Sequence, residues 1–200
     1  AMSLQTCREE YIKALKMGQR EADELVSAGK DPNPQVLDEL LPDIDTLTVV
    51  DVGVLEIPAE RIIGTKSAGR IAAFSPSFLP LLDPKTEFAG KWISLCDAHL
   101  GTEGIRDPIT CYEYLGNFYV QEGNKRVSVL RYFGAPRIPA SVKRVMPPMS
   151  DDPRIVAYYE FVDFFKSAGI YTVQFRRPKD YAKLLALLGK EPGVKWTEDE

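Results

Sequence analysis

Apolar residues recur at intervals close to 3.6 residues over the first 29 positions of the chain. This spacing predicts an amphipathic helix, with Gly29 where a C-terminal cap would stand. A second, short helix is expected over Pro34–Leu41, because Pro42 cannot continue a helix and restricts the residue before it. The two would form an N-terminal helical hairpin within residues 1–45. The apolar stripe of the first helix comprises Leu4, Cys7, Tyr11, Leu15, Ala22 and Leu25.

The pattern changes to that of β-strands after Thr46. Leu47–Val54 and the adjoining Leu55–Ile57 are rich in β-branched and apolar residues and predict strand structure. Ala59–Ile63 is expected to be a short helix or a turn. Residues 64–91 are rich in Gly, Pro, Ser and Ala, yet too long and too apolar for a simple linker. Two interpretations stay open for this segment: a partly helical excursion that packs on the rest, or a lid.

Alternating apolar and polar residues predict a β-hairpin in the middle of the sequence. Its first strand begins at Ile109, Gly116-Asn117 supplies a tight turn, and Phe118–Gln121 returns as the second strand. A short helix with a glycine cap at Gly134 is expected next, followed by an alternating strand over residues 138–142. The unit is therefore a hairpin, a helix and a further strand.

The C-terminal part reads as helix, strand and helix. Pro153–Ser167 has a helical stripe, Ile170–Phe175 alternates as a strand, and Pro178–Leu188 opens with a proline at its first turn. Thr197 and Glu200 have capping-box spacing, as though another helix were beginning. We therefore expect the sequence to be a truncated part of a longer protein.

Composition restricts the classes of function. The chain has 200 residues, 44% of them hydrophobic and 27% charged, which allows a real core in one or two domains. It lacks a long apolar run and a secretory leader pattern, so a cytoplasmic protein without a membrane anchor is expected. The net charge of −4 does not support general binding to nucleic acid, so a phosphate contact must come from a local patch. The three cysteines lack CxxC spacing, and the single histidine excludes a multi-histidine metal cage.

The tetrapeptide Gly123-Asn124-Lys125-Arg126 lies at the junction between a predicted strand and a predicted helix. A helix N-terminus presents unpaired N–H groups and the positive end of the dipole, and a preceding glycine lets an anion approach the backbone. Cations in that first turn are disfavoured by about 0.3–1 kcal/mol each. The residues alone leave two explanations open: an anionic ligand, or pairing with Glu122 and other acids on a solvated face.

The sequence around this tetrapeptide resembles the core of the ParB/sulfiredoxin superfamily. Residues 104–109, GIRDPI, are similar to the family's G-x-x-P-I with one residue added. A strand ending in an acidic residue, G-x-x-R, a helix, a glycine and I-P-A-x-V follow before residue 147. Residues 54–70, VLEIPAERIIGTKSAGR, are similar to the family's opening strand, short helix and first ligand loop.

The resemblance implies a nucleotide site. In this superfamily the G-x-x-R turn holds phosphates of CTP in partitioning ParB, of ATP in sulfiredoxin, and of ADP or ATP in free-serine kinases. By resemblance, Gly123 and Arg126 carry the motif here, with the amides of Asn124 and Lys125 beside them. Mg²⁺ with a nucleotide (CTP, ATP or ADP) would be the cofactor. The first ligand loop adds a second set of candidates: Lys66, Ser67 and Arg70.

Departures from the family pattern restrict which of the family's activities are expected for this chain. Sulfiredoxin has its nucleophilic cysteine directly after the motif glycine, where this chain has Asn124, so sulfinic-acid reduction is not expected. No helix-turn-helix is recognisable after the motif, so DNA is a weaker candidate partner than a nucleotide. Phosphoryl transfer would need a carboxylate base. The candidates are Glu122, which occupies the acidic position before the glycine, and Glu56 and Glu60.

The sequence therefore predicts an α+β protein in three parts. A ParB/sulfiredoxin-like mixed sheet with short helices spans 46–147, between the helical hairpin of residues 1–45 and an α-β-α extension over 148–200. Its expected function is to bind a nucleoside di- or triphosphate at Gly123–Arg126, as a nucleotide switch or for phosphoryl transfer or hydrolysis. The alternative is a non-catalytic module of the same family that associates with DNA or with proteins.

Overall fold

The computed structural model describes residues 2–168 and shows a mixed α/β protein. Its described part contains five α-helices and one six-stranded mixed sheet. The helices are α1 Met2–Ser27, α2 Leu37–Leu40, α3 Glu87–Leu100, α4 Asn124–Tyr132 and α5 Pro153–Ala168. The strands are β1 Gln35–Val36, β2 Thr48–Pro58, β3 Ile62–Thr65, β4 Ile109–Tyr114, β5 Asn117–Glu122 and β6 Arg137–Met146. The predicted strand Ile170–Phe175, the predicted helix Pro178–Leu188 and the capping box after it lie outside the described residues.

The described chain falls into two compact units. The first contains the residues up to Glu113 together with Asn117–Val145. The second contains Tyr114–Gly116 and, within the described residues, those from Met146 to Ala168. The N-terminal segment in which the sequence predicted a helical hairpin lies within the first unit.

The sheet has the order β1-β3-β5-β4-β6-β2. Parallel pairing joins β1 to β3, β3 to β5, and β4 to β6. A glycine permits the first of these pairings, because a Cβ at Gly64 would lie 2.3 Å from the Gln35 carbonyl oxygen. The close approach of β1 and β3 therefore depends on a position without a side chain.

The prediction of a helix over Pro34–Leu41 is wrong for the first half of this segment and right for the second. Gln35 and Val36 instead form β1, because their backbone groups find partners at Gly64 and Thr65 in β3. Only α2, a single turn, follows. The side chain of Val36 is buried, so tertiary pairing outweighs the local helix signal at this point.

The hairpin of β4 and β5 turns at Leu115-Gly116, one residue earlier than the predicted Gly116-Asn117. Both residues have positive φ angles, 50° and 84°. Two left-handed residues in succession give a type I′ turn, whose twist matches that of antiparallel strands. On β4, Ile109, Cys111 and Glu113 are buried and alternate with half-buried residues, as the sequence pattern predicted.

The helix α3 is the principal element that the sequence pattern did not predict. Thr86 caps it by accepting a hydrogen bond from the Ala89 amide at 3.2 Å. Its apolar side carries Trp92 and Cys96, one turn apart and fully buried. These side chains pack between α1 and α4 in a core cluster of Cys7, Tyr11, Ala14, Leu15, Ala89, Trp92, Cys96 and Val129.

One buried hydrogen bond fixes α4 against α3. The Trp92 indole N–H donates to the Ser128 hydroxyl at 2.9 Å, and both side chains are almost completely shielded from solvent. The Trp92 ring also meets Tyr11 and Tyr132 edge to face, with ring centroids 5.3 and 5.7 Å apart. The position of α4, and of the turn that precedes it, therefore depends on this contact.

In the second unit, α5 confirms the predicted helix over Pro153–Ser167 to within one residue. Asp152 accepts a hydrogen bond from the Arg154 amide at 2.9 Å and so stabilises the start of the helix. The Tyr159 hydroxyl donates to the Pro147 carbonyl at 2.6 Å. Among the described helices, none has the length and apolar character needed to cross a membrane.

Ser128→Ala should lower the free energy of unfolding by about 1–3 kcal/mol, because it leaves the buried Trp92 N–H without an acceptor. Ser94 on the same helix as Trp92 is exposed, so Ser94→Ala is a suitable control and should change stability by no more than about 0.5 kcal/mol. Urea unfolding of the three proteins measures both effects. Equal losses for the two variants would show that the hydrogen bond does not hold the helices together.

Candidate functional site

A cavity of about 980 Å³ opens where the β5–α4 turn faces α3. Its size lies at the upper end of the range of roughly 300–1,000 Å³ typical of small-molecule sites. It collects side chains from three parts of the first unit: the end of β5 with the first turn of α4, the N-terminal half of α3, and the short loop around Arg70. The lining residues are Arg70, Phe74, Glu87, Gly90, Lys91, Ser94, Leu95, Gln121, Glu122, Gly123, Asn124, Lys125 and Arg126.

The turn that leads into α4 requires a glycine for two reasons. Gly123 has a left-handed backbone, with φ 106° and ψ 26°. A Cβ at this position would also lie 2.7 Å from Cγ2 of the buried Ile109, on the neighbouring strand. This geometry brings the start of α4 directly onto the sheet.

The start of α4 presents polar groups to the cavity. No side chain caps this helix, and the first intrahelical bond runs from the Val127 amide to the Gly123 carbonyl at 3.0 Å. The amides of Asn124, Lys125 and Arg126 therefore precede the hydrogen-bonded ladder. The Asn124 Oδ1 atom is buried and accepts no hydrogen bond within the described part of the chain. An anion placed here would meet backbone donors and the positive end of the dipole.

Charge in the cavity is opposite to that of the whole chain. Four cationic and two acidic side chains line it, so its formal charge is +2, whereas the chain carries −4. The cations are Arg70, Lys91, Lys125 and Arg126, and the acids are Glu87 and Glu122.

Lys125 experiences this positive field directly. Its pKa is lowered, first by burial and then by the neighbouring charges of Arg70 and Lys91, while Glu87 acts in the opposite direction. The Lys125 ammonium lies 5.6 Å from the centroid of the Phe88 ring on α3, a distance at which cation–π attraction operates. The lysine of α4 thus reaches across to the first turn of α3.

On α3, Glu87 and Lys91 form an ion pair across one helical turn, with the Lys91 ammonium 3.1 Å from the carboxylate. The hydrogen bond and charge of Lys91 lower the pKa of Glu87, and Arg70 and Lys125 add to this effect. Both side chains remain open to solvent, 84% for Glu87 and 56% for Lys91. The carboxylate is therefore the counter-ion of a positive cavity and is not locked in place.

Arg126 has a structural task as well as a place in the cavity wall. Its Nη1 donates to the carbonyl oxygens of Asp107 and Pro108, at 2.9 and 3.0 Å. These bonds tie the first turn of α4 to the segment that enters β4. Replacing Arg126 would disturb the turn itself, so Lys125 is the better position for testing ligand contacts.

Of the residues predicted for the site, six line this cavity. They are Arg70, Glu122, Gly123, Asn124, Lys125 and Arg126.

The structure places Lys66 and Ser67 outside the cavity wall. The Lys66 ammonium lies 2.5 Å from the Asp38 carboxylate and 5.3 Å from the centroid of the Tyr112 ring. Ser67 is exposed, and its carbonyl accepts a hydrogen bond from Thr65. Of the three candidates predicted in this loop, only Arg70 lines the cavity.

The other two candidate bases also lie away from the cavity. Glu56 is exposed on β2, which is an edge strand of the sheet. Glu60 lines a separate cavity of about 360 Å³ together with Arg131. Glu122 is thus the one predicted base beside Gly123–Arg126.

Sequence reasoning missed the wall formed by α3. Glu87, Gly90, Lys91 and Ser94 are spaced by three or four residues and so share one face of the helix. A glycine inside a helix costs about 1 kcal/mol relative to alanine, and a Cβ at Gly90 would meet only open space. This polar, glycine-containing stripe opposite Trp92 and Cys96 was the signal available in the sequence.

Metal ligands are sparse in the described residues, which contain no cluster of three or more His, Cys, Asp or Glu side chains able to hold an ion. All three cysteines are buried free thiols. Burial raises the pKa of Cys111 to about 12, and the adjacent Glu113 adds to the effect. This thiol is therefore a poor nucleophile and metal ligand.

Comparisons with known proteins do not identify a relative: no family model, curated protein or solved structure matches the chain.

Gly123→Ala should destabilise the protein more than Gly134→Ala does. Both glycines have positive φ, so each alanine pays roughly 1–2 kcal/mol of backbone strain. Only at Gly123 would the new Cβ also collide with Ile109, adding roughly 1–3 kcal/mol, since nothing lies within 4 Å at Gly134. The difference between the two urea midpoints measures the close approach of the turn to the sheet. Equal midpoints would contradict it.

Proposed function

We propose that this chain binds a nucleoside di- or triphosphate, with the phosphates held against Gly123–Arg126, as a member of the ParB/sulfiredoxin superfamily. The observation that carries the proposal is the cavity of formal charge +2 in a chain of charge −4. Such a local excess of positive charge, combined with free helix amides, favours a ligand with two or more negative charges. Neutral or cationic ligands would leave the repulsion among the cations uncompensated.

The order of elements supports the superfamily assignment. A hairpin, a left-handed glycine, a helix and a strand follow one another over residues 109–146. These are the elements that the resemblance implies for the G-x-x-R region. The proposal extends that resemblance to the ligand, since the motif residues line the cavity together with Arg70 of the first loop.

The donor set fits Mg²⁺ that arrives with the nucleotide. Glu122 lines the cavity and is exposed, and Mg²⁺ commonly binds one or two carboxylates together with phosphate oxygens and water. In a nucleotide switch, Glu122 would be free to hold the ion; in phosphoryl transfer, where Glu122 would be the base, phosphate oxygens and water would hold it instead. In both cases the ion would neutralise charge on the phosphates. Glu87 is less suited to this task, because Lys91 already pairs with it.

Two uses of a bound nucleotide are consistent with the cavity. Phosphoryl transfer or hydrolysis would use Glu122 as the base, because neither Glu56 nor Glu60 lines the cavity. A nucleotide switch needs only binding. Under this proposal, both uses begin with binding of the nucleotide in the cavity, and turnover also requires Glu122 as the base.

A thermal-shift panel with CTP, ATP, ADP and GTP, with and without Mg²⁺, tests the proposal. A ligand at about 100 times its Kd adds roughly 2.7 kcal/mol, which corresponds to a rise of several degrees in Tm. Lys125→Ala should remove most of this rise and leave the Tm without ligand nearly unchanged. Arg126→Ala should lower the Tm without ligand as well, since it loses two hydrogen bonds. Lys16→Ala, an exposed change on α1, is the charge-matched control.

The absence of a shift with every nucleotide would overturn the proposal and favour the alternative of a DNA-associated or protein-interaction module. A shift that survives in Lys125→Ala would place the nucleotide elsewhere. A shift confined to one nucleotide would identify the nucleotide to use in turnover assays, which would compare the original chain with Glu122→Gln.

A further inference from the structure

We propose that the α3 wall of the cavity makes the site selective for polyphosphates over monophosphates. In this proposal Lys91 binds the phosphate farthest from the α4 turn, and Glu87 is a built-in competitor that this phosphate displaces. The inference rests on the proposed function and deepens it. It concerns residues outside the G-x-x-R turn, on the wall of the cavity that α3 forms.

The arrangement of cations supports two binding positions. Lys125 stands at the start of α4, but its ammonium lies 5.6 Å from the Phe88 ring, against the first turn of α3. Lys91 follows one turn later on the cavity face of α3. The cations thus form a path from the amides of the turn to α3, along which successive phosphates can each meet a positive group.

The electrostatics show that these cations share one field. Burial and then the charges of Arg70 and Lys91 lower the pKa of Lys125. The hydrogen bond and charge of Lys91, followed by the charges of Arg70 and Lys125, lower the pKa of Glu87. The Glu87 carboxylate is therefore the anionic partner of three cations. A phosphate with two or more negative charges offers those cations a stronger partner than one carboxylate.

Displacing Glu87 costs little, because the pair is exposed. The carboxylate is 84% accessible and can return to water without burial of its charge. Surface ion pairs of this type change an equilibrium by at most about fivefold. A monophosphate on the turn leaves the Glu87–Lys91 pair intact, whereas a longer chain of phosphates opens it and gains Lys91.

Isothermal titration with inorganic phosphate and inorganic tripolyphosphate, at constant ionic strength, tests this inference. Lys91→Ala should weaken tripolyphosphate binding about tenfold and phosphate binding less than twofold. Glu87→Gln should strengthen tripolyphosphate binding about two- to fivefold, because it removes the competing charge. Matched controls on the exposed face of α1, Lys16→Ala and Glu24→Gln, should change either affinity less than twofold.

Two outcomes would overturn the inference. Equal weakening of both probes by Lys91→Ala would mean that Lys91 acts only through the general field. Unchanged or weaker tripolyphosphate binding in Glu87→Gln would show that the carboxylate does not compete.

The nucleotide panel separates this inference from the proposed function. Nucleotide binding that is insensitive to Lys91→Ala would overturn the role of α3 and leave the nucleotide site standing. Tripolyphosphate binding with the expected dependence, but without nucleotide binding, would overturn the nucleotide function and leave a polyphosphate site. Absence of binding by every probe would overturn both.

Discussion

The contact between Gly123 and Ile109 is the constraint on which the candidate site depends. The backbone at Gly123 passes so close to Ile109 that no side chain fits, and its left-handed conformation turns the chain from β5 into α4. Arg126 then ties the first turn of α4 to the carbonyls of Asp107 and Pro108, just before β4 begins. The start of α4 is therefore fixed against the beginning of β4, and this fixes the orientation of its first amides.

The wall of the cavity that α3 forms is positioned by the apolar core and not by the turn before α4. Trp92 and Cys96 are buried between α1 and α4, which forces the opposite stripe of α3, with Glu87 and Lys91, to face the cavity. The hydrogen bond from Trp92 to Ser128 sets the position of this stripe relative to α4. Apolar burial on one side of a helix thus determines which charges meet on the other.

Local patterns predicted the parts of this fold that are themselves local. The long helix α1, the β4–β5 hairpin, the glycine before α4 and the helix α5 follow from periodicity and turn chemistry, and most of the phosphate candidates lie together. The strand β1 could not be predicted, because two residues pair with β3 only through a contact distant in sequence. Lys66 is directed away from the cavity for a similar reason, since its partner Asp38 comes from another segment. Most of the helix α3 was missed because no element was predicted between residue 91 and Gly104, and the capping of the helix by Thr86 was not recognised. The superfamily relationship remains a prediction.

The net charge of the chain does not predict the charge of the cavity, and the structure gives a physical reason. At physiological ionic strength the Debye length is about 8 Å, so exposed acids elsewhere on the chain contribute little to the potential inside the cavity. The charged side chains that line the cavity are mostly cationic, and burial followed by the charges of Arg70 and Lys91 lowers the pKa of Lys125 although the whole chain is acidic. Glu87 supplies this cluster of cations with a counter-ion from an exposed position. Under the proposal that α3 selects polyphosphates, this carboxylate also sets the affinity that an incoming anion must exceed to reach Lys91.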